Sequence, residues 1–206
     1  HAAETHPVLM IQLEMSGEQI AARELAASSG ITVRDINEGS LDAFQLEELK
    51  NAEDKLKPSQ FYCLDAGEIT VREIKSHAIS LKRILGSLGL LIIDQLDKIK
   101  GDGRYKDRFE KLADITRALK NVAKELGVPI IALAQRTRTA QRRDDPTPHI
   151  LDADAPSIER DADWCVAVWQ KINWLRQNKP FGRDADVGKW EAQMADARGV
   201  AEIICL

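Results

Sequence analysis

Gly89-Leu90-Leu91-Ile92-Ile93-Asp94 decides the fold of this chain. Four aliphatic residues follow one another with no polar residue between them, the pattern of a central parallel strand covered on both faces rather than a half-exposed one. An acid closes the run. Working outward, Val8 to Leu13 is a second apolar run, bounded by Pro7 and Glu14-Met15-Ser16, and Gln60 to Leu64 is a shorter third. Val128 to Ala134, Asp163 to Trp169 and Val200 to Leu206 supply three more.

Helix signals fill the intervals. Ser16 is placed to cap a helix over Gly17 to Ser29, and a charged helix spans Leu41 to Leu56 before Pro58. Thr70 caps another to about Leu85. From Lys106 to Gly127, Phe109, Leu112, Ile115, Leu119, Val122 and Leu126 recur at helical spacing, with glycine at the stop. Strand and helix therefore alternate, which predicts an α/β domain with a mostly parallel central sheet flanked by helices. The segment Lys171 to Arg198, polar and rich in Trp, reads as an extended insertion or hairpin.

A length of 206 residues suits one such domain. With 44% hydrophobic and 30% charged residues the composition is that of a globular chain. A net charge of −4 and a pI near 5.7 exclude a protein that coats nucleic acid over its whole surface, though not one that touches DNA through a few loops. Cys63, Cys165 and Cys205 are far apart in apolar runs, so each is expected to be a small buried hydrophobe in a reducing, cytoplasmic compartment. No apolar run approaches the roughly 20 residues of a membrane span.

Three strand ends carry polar residues at the carboxyl edge, where α/β sheets place ligands: Glu14, Asp94 and Gln135. An aliphatic strand ending in Asp holds Mg²⁺ beside phosphates in many nucleotidases, and in many other proteins merely caps a turn. Glu14 either polarises a water attacking a γ-phosphate or caps the helix before Gly17. Gln135 either senses that phosphate or is a satisfied buried amide. No G-x-x-x-x-G-K-[ST] loop occurs in these residues.

Gln12-Leu13-Glu14-Met15-Ser16, with Gln19 and Arg23 following, resembles the "SLEMS…Q…R" segment of bacterial DnaB-type replicative helicases. Leu91-Ile92-Ile93-Asp94 resembles the family's Walker B strand, and Asp107-Arg108 through Pro129 its next helix and strand. Ala132-Leu133-Ala134-Gln135 with Arg138 resembles "ALSQLNR", and Ser157-Ile158-Glu159-Arg160-Asp161-Ala162-Asp163 resembles "SIEQDAD". The motifs come in the family's order from Val8 to Trp169, and the similarity resumes at Gly199.

The resemblance implies a RecA-like P-loop ATPase fold and an ATP-dependent replicative DNA helicase that uses ATP and Mg²⁺. It makes Glu14 the catalytic base, Asp94 the Mg²⁺-linked acid and Gln135 the γ-phosphate sensor, with Arg23 near the nucleotide. Two loops would face DNA: Gly101 to Lys106 and its continuation, with Arg104, Lys106 and Arg108, and the segment from about Arg138 to Ile158, with Arg138, Arg142, Arg143 and Asp154. Arg117 matches a basic position of the helix after Walker B. Single-stranded DNA, a homo-hexamer, a helicase loader and primase are the implied partners, with no membrane.

In that family the P-loop lies one helix before the first strand and the arginine finger just past the last, so the chain reads as cut at both ends and, alone, a poor ATPase. The alternative is a helicase-like regulatory or loading module that binds nucleotide without productive hydrolysis. Departures fall on DNA contacts: Ala153 replaces a basic residue, Pro156 a glycine, Gln95 a tyrosine and Asp97 a glutamine. Trp164 and Trp169 read as core or subunit interface rather than base-stacking platforms.

Overall fold

A computed structural model describes residues 2–135, 147–153, 156–180 and 184–206. The chain forms two compact units, His1–Ala134 and Gln135–Leu206.

In the first unit a short helix α1 (Ala2–Thr5) leads into β1 (Val8–Gln12). Then come helices α2 (Gly17–Ser29), α3 (Val33–Glu38) and α4 (Ala43–Leu56), strand β2 (Phe61–Asp65), helix α5 (Val71–Leu85) and strand β3 (Leu90–Asp94). A 3-10 turn (Leu96–Lys98), helix α6 (Arg108–Leu126) and strand β4 (Ile130–Leu133) complete it. The four strands are parallel in the order β2-β1-β3-β4. The two middle strands carry the core, with Ile11, Leu91 and Ile93 at 0% exposure, each burial contributing about 1.5–3 kcal/mol.

The strand order fixes where the helices go. From β1 the chain steps one way to β2, then reverses, passing β1 to reach β3 and continuing to β4. Right-handed crossovers therefore put α2–α4 on one face and α5 and α6 on the other. Packing agrees: α2 meets α3 and α4, while α5 meets α6. Val71, Ile74 and Ala78 form the buried stripe of α5, and Leu112, Ile115, Leu119 and Val122 that of α6. Lys82 Nζ of α5 donates to the Leu126 carbonyl at 2.6 Å, neutralising the negative end of α6, and Lys75 pairs with Glu125 beside it.

The helix starts follow their sequence signals. Ser16, Asp42 and Thr70 each close a reciprocal capping box with the residue three on, and Asp107 caps α6. Gly127 takes the left-handed conformation that ends α6. Phe109 departs from the expected stripe at 55% exposure, because it sits in the first turn, before α6 reaches the sheet.

In the second unit, α7 (Pro156–Asp161) precedes β5 (Val166–Trp169), which pairs antiparallel with β6 (Glu202–Cys205). The segment Lys171 to Arg198, expected as an extended insertion or hairpin, holds two helices, α8 (Lys171–Gln177) and α9 (Asp184–Asp196). Trp190 Nε1 donates to the Leu175 carbonyl at 2.8 Å, and Lys179 Nζ lies 5.3 Å from the Trp190 ring. These contacts tie the pair around buried Leu175.

Two expectations about burial are corrected. Cys63 and Cys205 are exposed and Cys165 is half-buried. Cys63 lies on the edge strand β2, whose central residues are open, and Cys205 on the open ribbon face with Val166 and Ile203. Trp164 lies before β5 and is 81% exposed, so it is not a core residue.

Candidate functional site

The carboxyl ends of β1 and β3 lie side by side, Gln12 in register with Asp94. The chain leaves β1 toward one face of the sheet and β3 toward the other. Such a reversal opens a crevice above the strand ends, the place where open α/β sheets bind ligands. Asp94 is the last residue of β3 and half-buried, and Glu14 stands two residues past β1, exposed.

A residue that sequence reasoning passed over connects them. Gln12, at 0% exposure, donates from Nε2 to Asp94 Oδ2 at 3.1 Å. Its Oε1 accepts from the Glu14 N–H at 3.0 Å and the Met15 N–H at 3.4 Å. The Leu13 N–H donates to the Asp94 carbonyl at 2.7 Å. The turn carrying Glu14 is thus fastened to the strand carrying Asp94. A polar residue ending an apolar strand was the available signal, but its partner lies 82 positions away.

Asp65 was also missed. It ends β2 in register with Gln12, so Asp65, Gln12 and Asp94 form one polar row across three strands. Asp65 Oδ2 accepts the Gly17 N–H at 3.1 Å. Ser16 and Gln19 close the capping box at the same end of α2. With a carboxylate already on its first turn, α2 does not present the free, positive N-terminus that cradles a phosphate.

Arg23 is exposed on α2. Gln135 follows β4 by two residues, is exposed, and belongs to the second unit. Gln95, beside Asp94, is 3% exposed with its Nε2 unpartnered among the described residues.

The loop after β3 is held by Tyr105 and by the helices beside it. Tyr105 accepts the Gly103 N–H at 3.1 Å and donates to Asp114 Oδ2 at 2.9 Å, and Arg72 pairs with Asp102 at 3.5 Å. A Cβ on Gly101 would run into the Tyr105 ring where that ring now lies. Arg104, Lys106 and Arg108 are exposed, and Arg108 Nη2 lies 3.9 Å from Asp97 Oδ2. Arg117 is exposed on α6. Arg138, Arg142, Arg143 and Asp154 lie outside the described residues.

Among known proteins, the sequence profile of the DnaB-like helicase C terminal domain matches residues 1–198. The replicative DNA helicase DnaB of Rickettsia bellii is 31% identical over 206 residues, covering 98% of this chain and 41% of the relative. The same protein of Helicobacter pylori is 33% identical over 192 residues, 93% of this chain and 39% of the relative. The replicative DNA helicase DnaC of Bacillus subtilis is 39% identical over 158 residues, 76% of this chain and 35% of the relative. The chain thus spans about two fifths of the length of these relatives. In fold, an ATPase domain of solved structure superposes with a TM-score of 0.79 at 24% identity, over 84% of this chain and 63% of that one. A DnaB-like replicative helicase studied for its interactions with primase gives 0.78 at 23% identity, over 85% of this chain and 43% of that one.

Proposed function

This chain belongs to the DnaB-like helicase C-terminal domain family, and from that premise we propose that it is the motor portion of a replicative DNA helicase. ATP hydrolysed at ring subunit interfaces drives translocation on single-stranded DNA and separation of the duplex. The observation that carries the reading is the pair of acids at the ends of adjacent parallel strands, Glu14 after β1 and Asp94 after β3, joined through Gln12.

Glu14, exposed to solvent at the crevice, polarises the water that attacks the γ-phosphate. Asp94 holds Mg²⁺ directly or through water. The donor chemistry fits, since a half-buried carboxylate at a strand end offers hard oxygen. Among the described residues no group of three or more His, Cys, Asp or Glu side chains forms a cage. Mg²⁺ in phosphoryl-transfer sites commonly uses one or two carboxylates and takes its other ligands from water and phosphates. Once bound, it neutralises charge on those phosphates.

Gln135 senses the γ-phosphate and Arg23 lies near the nucleotide. The residues 1–206 act as one ATPase domain, in which no G-x-x-x-x-G-K-[ST] sequence occurs and the N-terminus of α2 is occupied. Arg104, Lys106 and Arg108, with Arg138, Arg142, Arg143 and Asp154, form the DNA-facing loops of a homo-hexamer, and loader and primase are its partners. Few basic residues per subunit suffice to track a single strand, which reconciles the net charge of −4 with DNA work.

The test is ATPase activity of the full-length protein with and without single-stranded DNA, beside Glu14→Gln and Asp94→Asn. DNA should stimulate turnover, and Glu14→Gln should bind ATP and stall. A full-length protein that binds nucleotide but never turns it over, on DNA or off it, makes the chain a regulatory or loading module.

A further inference from the structure

We infer that Gln12 is a positioning residue which holds the Asp94 carboxylate and the Glu14 turn in one fixed relation, so that the metal-side acid and the water-side base keep their spacing. The inference rests on the ATPase reading given above for those two acids.

The geometry leaves little choice about what Gln12 does. Its side chain is wholly buried, and a buried carboxamide persists only when its donors and acceptor are used. The amide orientation follows from chemistry. Two of its neighbours, the Glu14 and Met15 N–H groups, can only donate, so they take Oε1. The third, the Asp94 carboxylate oxygen, accepts, so it takes the NH₂ group. Reversing the amide would set oxygen against oxygen and N–H against N–H.

The consequences differ for the two acids. On Asp94, one oxygen, Oδ2, accepts the Gln12 N–H, which fixes the carboxylate plane and leaves the other oxygen for a cation or its water. Outer hydrogen bonds of this kind orient metal-binding carboxylates elsewhere. On Glu14, Gln12 touches only the backbone, fixing the point from which the acid reaches into the crevice. No other side chain bonded to Asp94 among the described residues also holds that turn. The family segment that this stretch resembles reads "SLEMS", with serine at the Gln12 position, and serine is too short to span both partners in this way.

Gln12→Met is the informative substitution. It roughly matches the length of the buried side chain, removes both contacts and puts no charge beside Asp94. Gln12→Leu removes the same contacts with a branched side chain, so an effect shared by the two variants belongs to the lost hydrogen bonds rather than to shape.

The experiment has two arms, both on the full-length protein at one pH. The first is amide hydrogen exchange at Glu14 and Met15 without nucleotide, which should be faster in both variants than in the parent. The second is Mg²⁺-dependent ATPase activity, with Asp94→Asn as reference. Both variants should require at least about tenfold more Mg²⁺ for half-maximal turnover, the lower end of what losing an outer hydrogen bond to a metal-binding group costs.

Unchanged Glu14 and Met15 exchange in both variants overturns the contact itself. If exchange rises, and Asp94→Asn abolishes turnover, but both Gln12 variants keep the parent's Mg²⁺ curve, the positioning role falls while the ATPase reading stands. If the parent shows no turnover, or Asp94→Asn leaves it unchanged, the ATPase reading fails and takes this proposal with it.

Discussion

The Tyr105 hydroxyl donates to Asp114 Oδ2 at 2.9 Å, fastening the loop after β3 to the second turn of α6. The same oxygen accepts the Gly103 N–H at 3.1 Å, so one phenol orders both the tip and the root of that loop. Burial first, and then the bond to Asp114, hold the Tyr105 phenol above its ordinary pKa. A raised folded-state pKa contributes stability that is complete below the unfolded value of about 10 and is lost as pH rises through the folded one. The stability difference between the parent and Tyr105→Phe should therefore shrink as pH rises past about 10. The Gly103 amide should also exchange faster in the variant. Unchanged Gly103 exchange by NMR would mean that the hydroxyl does not order the loop.

At the start of α5, Glu73 accepts the Thr70 N–H and the Thr70 hydroxyl, both at 2.8 Å. The Thr70 N–H first, and the hydroxyl second, hold the Glu73 carboxyl below its ordinary pKa. A depressed pKa contributes stability present above the unfolded value of about 4.3 and lost as pH falls through the folded one. Glu73→Gln keeps an acceptor without the charge, so its stability should fall less steeply in acid than the parent's. Thr70→Ala should cost about 1 kcal/mol at neutral pH, the usual loss of a helix N-cap. Parallel acid melts of parent and Glu73→Gln with identical slopes would rule the capping box out as the source.

How far these features were legible depends on how local they are. The capping boxes at Ser16 and Thr70 and the left-handed Gly127 are fixed by residues a few positions apart, and the sequence marks them directly. The short helix α3 escaped notice because six residues show too little periodicity, although Thr32 caps it and Gly39 ends it. Exposure was harder still. Cys63 sits in a run as apolar as those around it, and only the strand order reveals that β2 is an edge. Glu14 and Asp94 were visible as acids closing apolar strands. Gln12 was not visible as their link, because nothing local says that β3 will lie beside β1 in that register. The loop arginines Arg138, Arg142 and Arg143 remain expectations from the resemblance, outside the described residues.

Ile93 packs at 0% exposure in register with Ile11, at the centre of the sheet just before Asp94. Ile93→Ala should cost about 2–5 kcal/mol, the transfer loss plus the cavity left behind. Ile84, on α5, is 78% exposed, so Ile84→Ala should stay within about 0.5 kcal/mol of the parent. Denaturant titrations of the two variants side by side decide it. Equal midpoint shifts would mean that the burial assigned to β3 is wrong.

If the loop after β3 tracks a DNA backbone, the cost of losing its charges has to depend on salt. Arg104 and Lys106 are exposed on that loop, and Arg108 follows at the start of α6, 3.9 Å from Asp97. A cation already beside a carboxylate offers less to a phosphate, so Arg104→Ala and Lys106→Ala should each weaken binding more than Arg108→Ala. Each lost phosphate contact should reduce the slope of log affinity against log salt by about 0.7 for a single strand. Arg34→Ala, which breaks only an exposed pair with Glu38 at 2.8 Å, serves as a charge-matched control and should leave the slope unchanged. The measurement is fluorescence polarisation of a labelled oligonucleotide with the full-length protein across a salt series. A slope that Arg104→Ala and Lys106→Ala leave no lower than Arg34→Ala does would remove this loop from the DNA path.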